Sequence, residues 1–236
     1  MKYDGESLHR WVLAHAEPSY QAFSASLLPN VPDLLGVRLP VLRRLARVLA
    51  KEDAAYYVSE ISNASFEERM LRGMVIGYAN AEEETRWRWV DVYLSAIDNW
   101  SICDSFCATL AGRMDEEEAR RAWPRVKAYS ASEQPFTARF GVVMMIDMYM
   151  RPESIDDVLC ALPSVRCEAY YARMAVAWAL ATAWGYFPAK TRHCMQEAAF
   201  DPWVIEKAAQ KMIESRRITA SDKEEIRKTY RRRNRS

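Results

Sequence analysis

Asn99-Trp100-Ser101-Ile102-Cys103-Asp104-Ser105-Phe106 reads as the opening of a helix, and the rest of the chain reads outward from it in the same way. Asn99 offers the side chain of an N-cap to the turn that follows. At about 100° per residue, Trp100 and Asp104 share one face, a turn apart. Ile102, Cys103, Phe106 and Leu110 fall on another face, the one expected to meet a core. Ala108 and Ala111 continue the Trp100/Asp104 side with small side chains that leave open space. An aromatic ring and a carboxylate therefore project together from a surface outside the core stripe. The plain alternative is an exposed aspartate beside a half-buried tryptophan.

Helical periodicity extends in both directions. Ser7 to His15 and Pro18 to Leu28 read as two helices, or one broken at Pro18. Leu35-Gly36-Val37-Arg38-Leu39-Pro40 leads into a helix through about Ala50, with Pro40 suited to its first turn. Asp53 to Ser59 and Ser65 to Tyr78 follow, the latter opened by the capping-box pattern Ser65-Phe66-Glu67-Glu68. Glu82 to Ile97 precedes the Trp100 helix, which ends near Gly112. Asp115 to Tyr129, Pro135 to Met150, Pro152 to Ala161 and the long apolar stretch Val165 to Gly185 continue the series. Thr191 to Ala199, Pro202 to Glu214 and Ser221 to Arg232 complete it. The pattern predicts about a dozen helices and no strand. Pairs of helices recur roughly every 35 to 40 residues, which points to an all-α, α-α superhelix of HEAT-like or ARM-type repeats. The expected architecture is an irregular solenoid, one domain over residues 1–236, whose concave wall gathers side chains from successive repeats into a basic groove.

Composition agrees. The 236 residues are half apolar, with only 7 Gly and 10 Pro, as expected of a mostly helical globular chain. No stretch approaches the roughly 20 apolar residues of a bilayer span, and Met1-Lys2-Tyr3-Asp4 begins no signal-peptide core. Cysteines 103, 107, 160, 167 and 194 are odd in number and lack CxxC spacing, which argues against a disulfide scaffold or a zinc ribbon and for reduced thiols in a cytoplasm. His9, His15 and His193 form no pattern of a Cys/His hydrolase or a metal site.

Net charge is +1 but unevenly placed. From Lys207 onward eleven Lys/Arg face four acids, a local balance of +7 that leaves −6 for residues 1–206. A basic end, with a tail over about 220–236, suits phosphate or nucleic-acid contact; its plain alternative is a solvated charged tail. Three further features stand out. Arg139 enters the apolar run Thr137-Ala138-Arg139-Phe140-Gly141-Val142-Val143-Met144, where a snorkelling side chain is the ordinary expectation. Trp178 shares a face with Tyr171, Ala175 and Thr182, where core packing is the ordinary one. Lys207, Lys211, Arg216 and Arg217 crowd the end of one helix, where cations also suit the helix dipole.

The order of these features resembles that of the AlkD-like DNA glycosylases, a bacterial alkylation-repair family built from HEAT-like repeats. The resemblance runs from Leu35-Gly36-Val37-Arg38-Leu39-Pro40-Val41-Leu42-Arg43 to about Thr219. It comprises a G-V-x-x-P segment before an early helix, W-x-x-x-D at Trp100 and Asp104, an Arg heading an apolar helix at Arg139, and A-x-x-W at Trp178. One departure stands against it. Catalytic members carry an aromatic-rich, DNA-facing segment just before G-V-x-x-P, whereas Ser26 to Leu34 holds no aromatic here, and nearby Tyr20 and Phe23 read as core candidates.

The resemblance implies excision of cationic N3- and N7-alkylated purines, such as 3-methyladenine and 7-methylguanine, from double-stranded DNA by a cytoplasmic monomer, without metal or cofactor. Asp104 would stabilise the oxocarbenium-like sugar and position water. Trp100 and Trp178 would lie against the lesioned nucleotide and Arg139 would pair with a backbone phosphate, with Lys207, Lys211, Arg216 and Arg217 as further phosphate contacts. Two rival readings stay open: a non-catalytic DNA-binding paralogue that recognises damaged or branched DNA, and a protein-binding helical-repeat scaffold. If the chain is a glycosylase, Trp100, Asp104, Arg139 and Trp178 should line one concave basic face.

Overall fold

A computed structural model describes residues 2–28 and 30–230 of the chain. Among them are thirteen α-helices, one short 3-10 turn and no strand, so the all-α expectation holds. The chain divides into two compact units, residues 1–114 and 115–236. Arg231 to Ser236, the end of the basic tail, lies outside the described residues. No helix among the described residues is long and apolar enough to cross a membrane.

In the first unit, α1 (Gly5–Ala14) opens on a capping box. The Ser7 N–H donates to Asp4 Oδ1 and the Asp4 N–H to Ser7 Oγ, both at 2.8 Å. α2 (Pro18–Leu27) buries one residue, Ser24. α3 (Leu39–Glu60) breaks at Asp53 (φ −165°, ψ 83°), which is why the sequence reads as two helices there. Asp53 Oδ1 then accepts the Tyr56 N–H at 3.1 Å and restarts the helix. α4 (Phe66–Tyr78) is buried over most of its length and packs against α3 and against α6 (Trp100–Ala111). α5 (Glu83–Leu94) stops a turn short of Ile97. Each fully buried Leu, Ile, Val or Phe stabilises such packing by roughly 1.5–3 kcal/mol relative to exposure.

The G-V-x-x-P segment has a structural reason. Gly36 sits at φ +96°, and a Cβ there would come 2.8 Å from both the Gln21 backbone nitrogen and the Glu17 carbonyl oxygen. Glu67, 1% exposed, accepts the Leu35, Gly36 and Val37 N–H groups at Oε1, and that of Leu35 also at Oε2, at 2.6–3.2 Å. A buried carboxylate surrounded by three backbone donors fixes this loop, and Pro40 then begins α3.

The second unit contains α7 (Glu116–Ser130), α8 (Pro135–Tyr149), α9 (Ile155–Ala161), α10 (Tyr170–Tyr186), α11 (Pro188–Glu197), α12 (Pro202–Glu214) and α13 (Ala220–Tyr230). α8 packs against α7 and α10, and α10 against α12. A Cβ at Gly141 would collide with the Ser130 backbone, so α7 and α8 approach this closely only because that position is glycine. The helix read over Val165 to Gly185 starts at Tyr170 instead. Val165 to Ala169 runs outside the helix, where Cys167 packs with Ala138 and Ala172 and its Sγ donates to the Glu133 carbonyl at 3.4 Å.

Candidate functional site

α6 begins as its sequence dictates: Asn99 Oδ1 accepts the Ile102 N–H at 3.0 Å. Ile102, Cys103, Phe106 and Leu110 are buried, and the Phe106 ring meets Tyr93 edge-on at 4.9 Å. Trp100 and Asp104 are half-buried and Ala108 is exposed, so their face is indeed not the core stripe. The N-terminus of α6 is braced from below. Arg69, 7% exposed, bonds Asp33 through both terminal nitrogens, reaches the Asn63 carbonyl at 3.0 Å and places Nη2 3.2 Å from Asp98. Asp98 in turn accepts from the Asn99 side chain at 2.7 Å. Burial opposes the charged guanidinium, but the Asp33 bond and the charges of Asp98 and Asp33 outweigh it and raise its pKa. The same bond holds the Asp33 carboxyl below the ordinary aspartate range.

Trp100 lines a cavity of about 200 Å³ whose other walls include Tyr20, Phe23 and Leu27 of α2. Phe23 is 59% exposed and Leu27 52%, so neither belongs to the core. Sequence reading missed them because their spacing of three and four marks a helix face without saying what covers it.

In the second unit, Trp178 is half-buried on α10 and lines an open cavity of about 690 Å³ together with Thr182, Lys211, Arg216 and Arg217. Glu214 is the one acid among its walls. The arrangement follows from the end of α12: the Ser215 N–H caps onto the Lys211 and Met212 carbonyls, and the Arg217 N–H donates to Ser215 Oγ at 3.2 Å. Arg217 lays its guanidinium 4.3 Å over the Tyr186 ring, and its stem passes Gly185, where a Cβ would come within 3.1 Å. Lys211 also sits in the last turn, where the helix dipole favours a cation. One ring and three cations thus share an opening suited to phosphate.

Lys207 is not on that wall. Its Nζ lies 5.8 Å over the Trp203 ring and donates to Gln210 Oε1 at 3.3 Å, while Arg173 covers Trp203 at 4.4 Å and pairs with Asp201 at 2.9 Å. Arg139 does not snorkel. It is 5% exposed, its Nη1 donates to the Tyr171 carbonyl at 2.9 Å, and its guanidinium lies 5.9 Å over the Tyr171 ring. The structure therefore joins Trp100 with Asp104 on one helix, and Trp178 with Lys211, Arg216 and Arg217 around one cavity.

Among the described residues no group of three or more His, Cys, Asp or Glu is placed to hold a metal ion. Comparison with known families matches residues 11–212 to a family described as DNA alkylation repair enzyme. Comparison with curated proteins finds no match.

Proposed function

The chain belongs to the DNA alkylation repair enzyme family, and from that footing we propose that it is a DNA glycosylase for cationic N3- and N7-alkylated purines in duplex DNA. Alkylation at a ring nitrogen makes the base a good leaving group. The C1′–N bond breaks with its electrons leaving on the base, the sugar becomes oxocarbenium-like, and water adds at C1′ with loss of a proton. Asp104 stabilises the developing positive charge and orients that water. Trp100 and Trp178 offer π faces to the cationic nucleotide. Arg139, pre-ordered by Tyr171, is assigned a backbone phosphate. Lys211, Arg216 and Arg217 follow the backbone further, and Lys207 adds a contact from the Trp203 side. No metal or cofactor enters the scheme, and a monomer suffices.

The observation that carries the DNA-facing part is Trp178 among Lys211, Arg216 and Arg217 at one opening. A second reading, DNA binding without excision, draws on the absence of aromatics between Ser26 and Leu34. Incubating the protein with methylated duplex DNA separates the two. The glycosylase liberates free 7-methylguanine or 3-methyladenine, whereas the binding protein retains the duplex and releases no base.

A further inference from the structure

We propose that Cys160 of α9 and Cys194 of α11 form a thiol–disulfide exchange site, at which a small disulfide such as oxidised glutathione converts the pair into a bond between the two helices. The proposal stands apart from the glycosylase reading and does not depend on it.

The register of the two helices carries it. Near the start of α9, Asp156 accepts from Lys190, near the start of α11, at 2.6 Å. One turn further along, Cys194 Sγ donates to the Leu159 carbonyl at 3.4 Å. The helices therefore run side by side in the same direction. Asp156 and Lys190 are 34 residues apart, and the same offset separates Cys160 from Cys194. Each cysteine also follows its helix's member of the ion pair by one turn, on the same face. Neighbouring axes about 8–10 Å apart, with Cα atoms about 2.3 Å from each axis, bring directly facing positions to about 3.5–5.5 Å. Positions turned a little outward fall within the roughly 4.4–6.8 Å that a disulfide spans between Cα atoms.

Access follows the same geometry. Both thiols open on one cavity of about 390 Å³. Cys160 is exposed and Cys194 half-buried, whereas Cys103, Cys107 and Cys167 are buried. Cys160 loses its proton and attacks one sulfur of the small disulfide; the first glutathione leaves as thiolate and takes up a proton. Cys194 then loses its proton, attacks Cys160 Sγ and expels the second glutathione. Two cysteine thiols are oxidised while one glutathione disulfide is reduced to two thiols. The second step waits on ionisation of Cys194, which burial, with a smaller effect of Cys160, pushes up to about 11. The other charged or titratable groups at this opening are Asp156, Lys190, His193 and Glu197, and no residue of α10 lines it. The bond closes a loop that contains the whole of α10 and with it Trp178.

The test uses the reduced full chain with excess oxidised glutathione at about pH 8, 9 and 10, quenched in acid and mapped by peptide mass spectrometry. The glutathione adduct should form first at Cys160 and then give way to a Cys160–Cys194 bond. Conversion of the adduct should quicken about tenfold per pH unit over this range. Cys194→Ser, whose hydroxyl keeps a donor for the Leu159 carbonyl, should hold the Cys160 adduct unconverted. A native adduct that persists as it does in Cys194→Ser, a conversion rate independent of pH, or a bond from Cys160 to another cysteine overturns the proposal. A bond that fits the register restricts mainly the unfolded chain and should raise the melting temperature. A bridged protein that melts below the reduced one overturns it as well.

Discussion

Arg69 Nη2 lies 3.2 Å from Asp98 Oδ2, and this contact ties α4 to the turn that launches the Trp100/Asp104 helix. The guanidinium is nearly buried, whereas Asp98 is more than half exposed and Asp33 partly so. Replacing Arg69 by Met keeps the stem and removes the charge from the bridge. The expected cost is about 2–3 kcal/mol, below the value for a fully buried pair because water still reaches the acids. Urea denaturation measures it; a loss under about 0.5 kcal/mol would mean that the bridge does not brace α6.

The same bridge gives acid lability a direction. Asp33 has its folded pKa depressed, first by the Arg69 hydrogen bond. Its contribution is therefore complete above the unfolded aspartate value of about 3.9 and is lost as pH falls through the lower folded pKa. Asp33→Asn should lower the melting temperature near neutrality and flatten its fall below about pH 4. A variant whose melting curve falls with acid as steeply as the native protein's contradicts this assignment.

At the Trp178 opening, Arg216 and Arg217 are exposed and line the same wall as Lys211. Each phosphate contact contributes about 0.9 to the slope of log affinity against log salt for duplex DNA. Removing both arginines by alanine substitution should reduce that slope by about 1 to 2. An unchanged slope would place the backbone elsewhere.

Thiol chemistry should follow burial. Cys160 is exposed, while burial, with a smaller effect of Cys160, pushes Cys194 up to about 11. At about pH 8 only roughly a thousandth of Cys194 is thiolate, so alkylation should begin at Cys160. Labelling of Cys194 should keep accelerating as pH approaches 11. Mass spectrometry after brief iodoacetamide treatment reads the order, and Cys194 modified first would contradict it.

These features differ in how far the sequence announces them. The Ser65/Glu68 and Asn99 caps and the buried stripe Ile102, Cys103, Phe106 and Leu110 were legible because local spacing determines them. Even the break at Asp53 shows in the pattern. Tyr20 and Phe23 were not, because composition cannot tell an apolar face that meets a core from one that meets an open cavity. Arg139 was half legible: its isolation in an apolar run is plain, but the Tyr171 carbonyl that binds it is 32 residues away. Lys207 and Lys211 are one turn apart, yet Lys207 turns to Trp203 and Gln210 of its own helix and Lys211 to the Trp178 opening.

The central claim is that Asp104 carries the charge that assists base loss. The most direct measurement is single-turnover release of 7-methylguanine from methylated duplex DNA by the native protein and by Asp104→Asn. The amide nearly preserves shape while removing the negative charge. Release by the native protein, with a drop of about 10²-fold or more in the variant and unchanged duplex affinity, is the predicted result. Equal rates in the two proteins would contradict it.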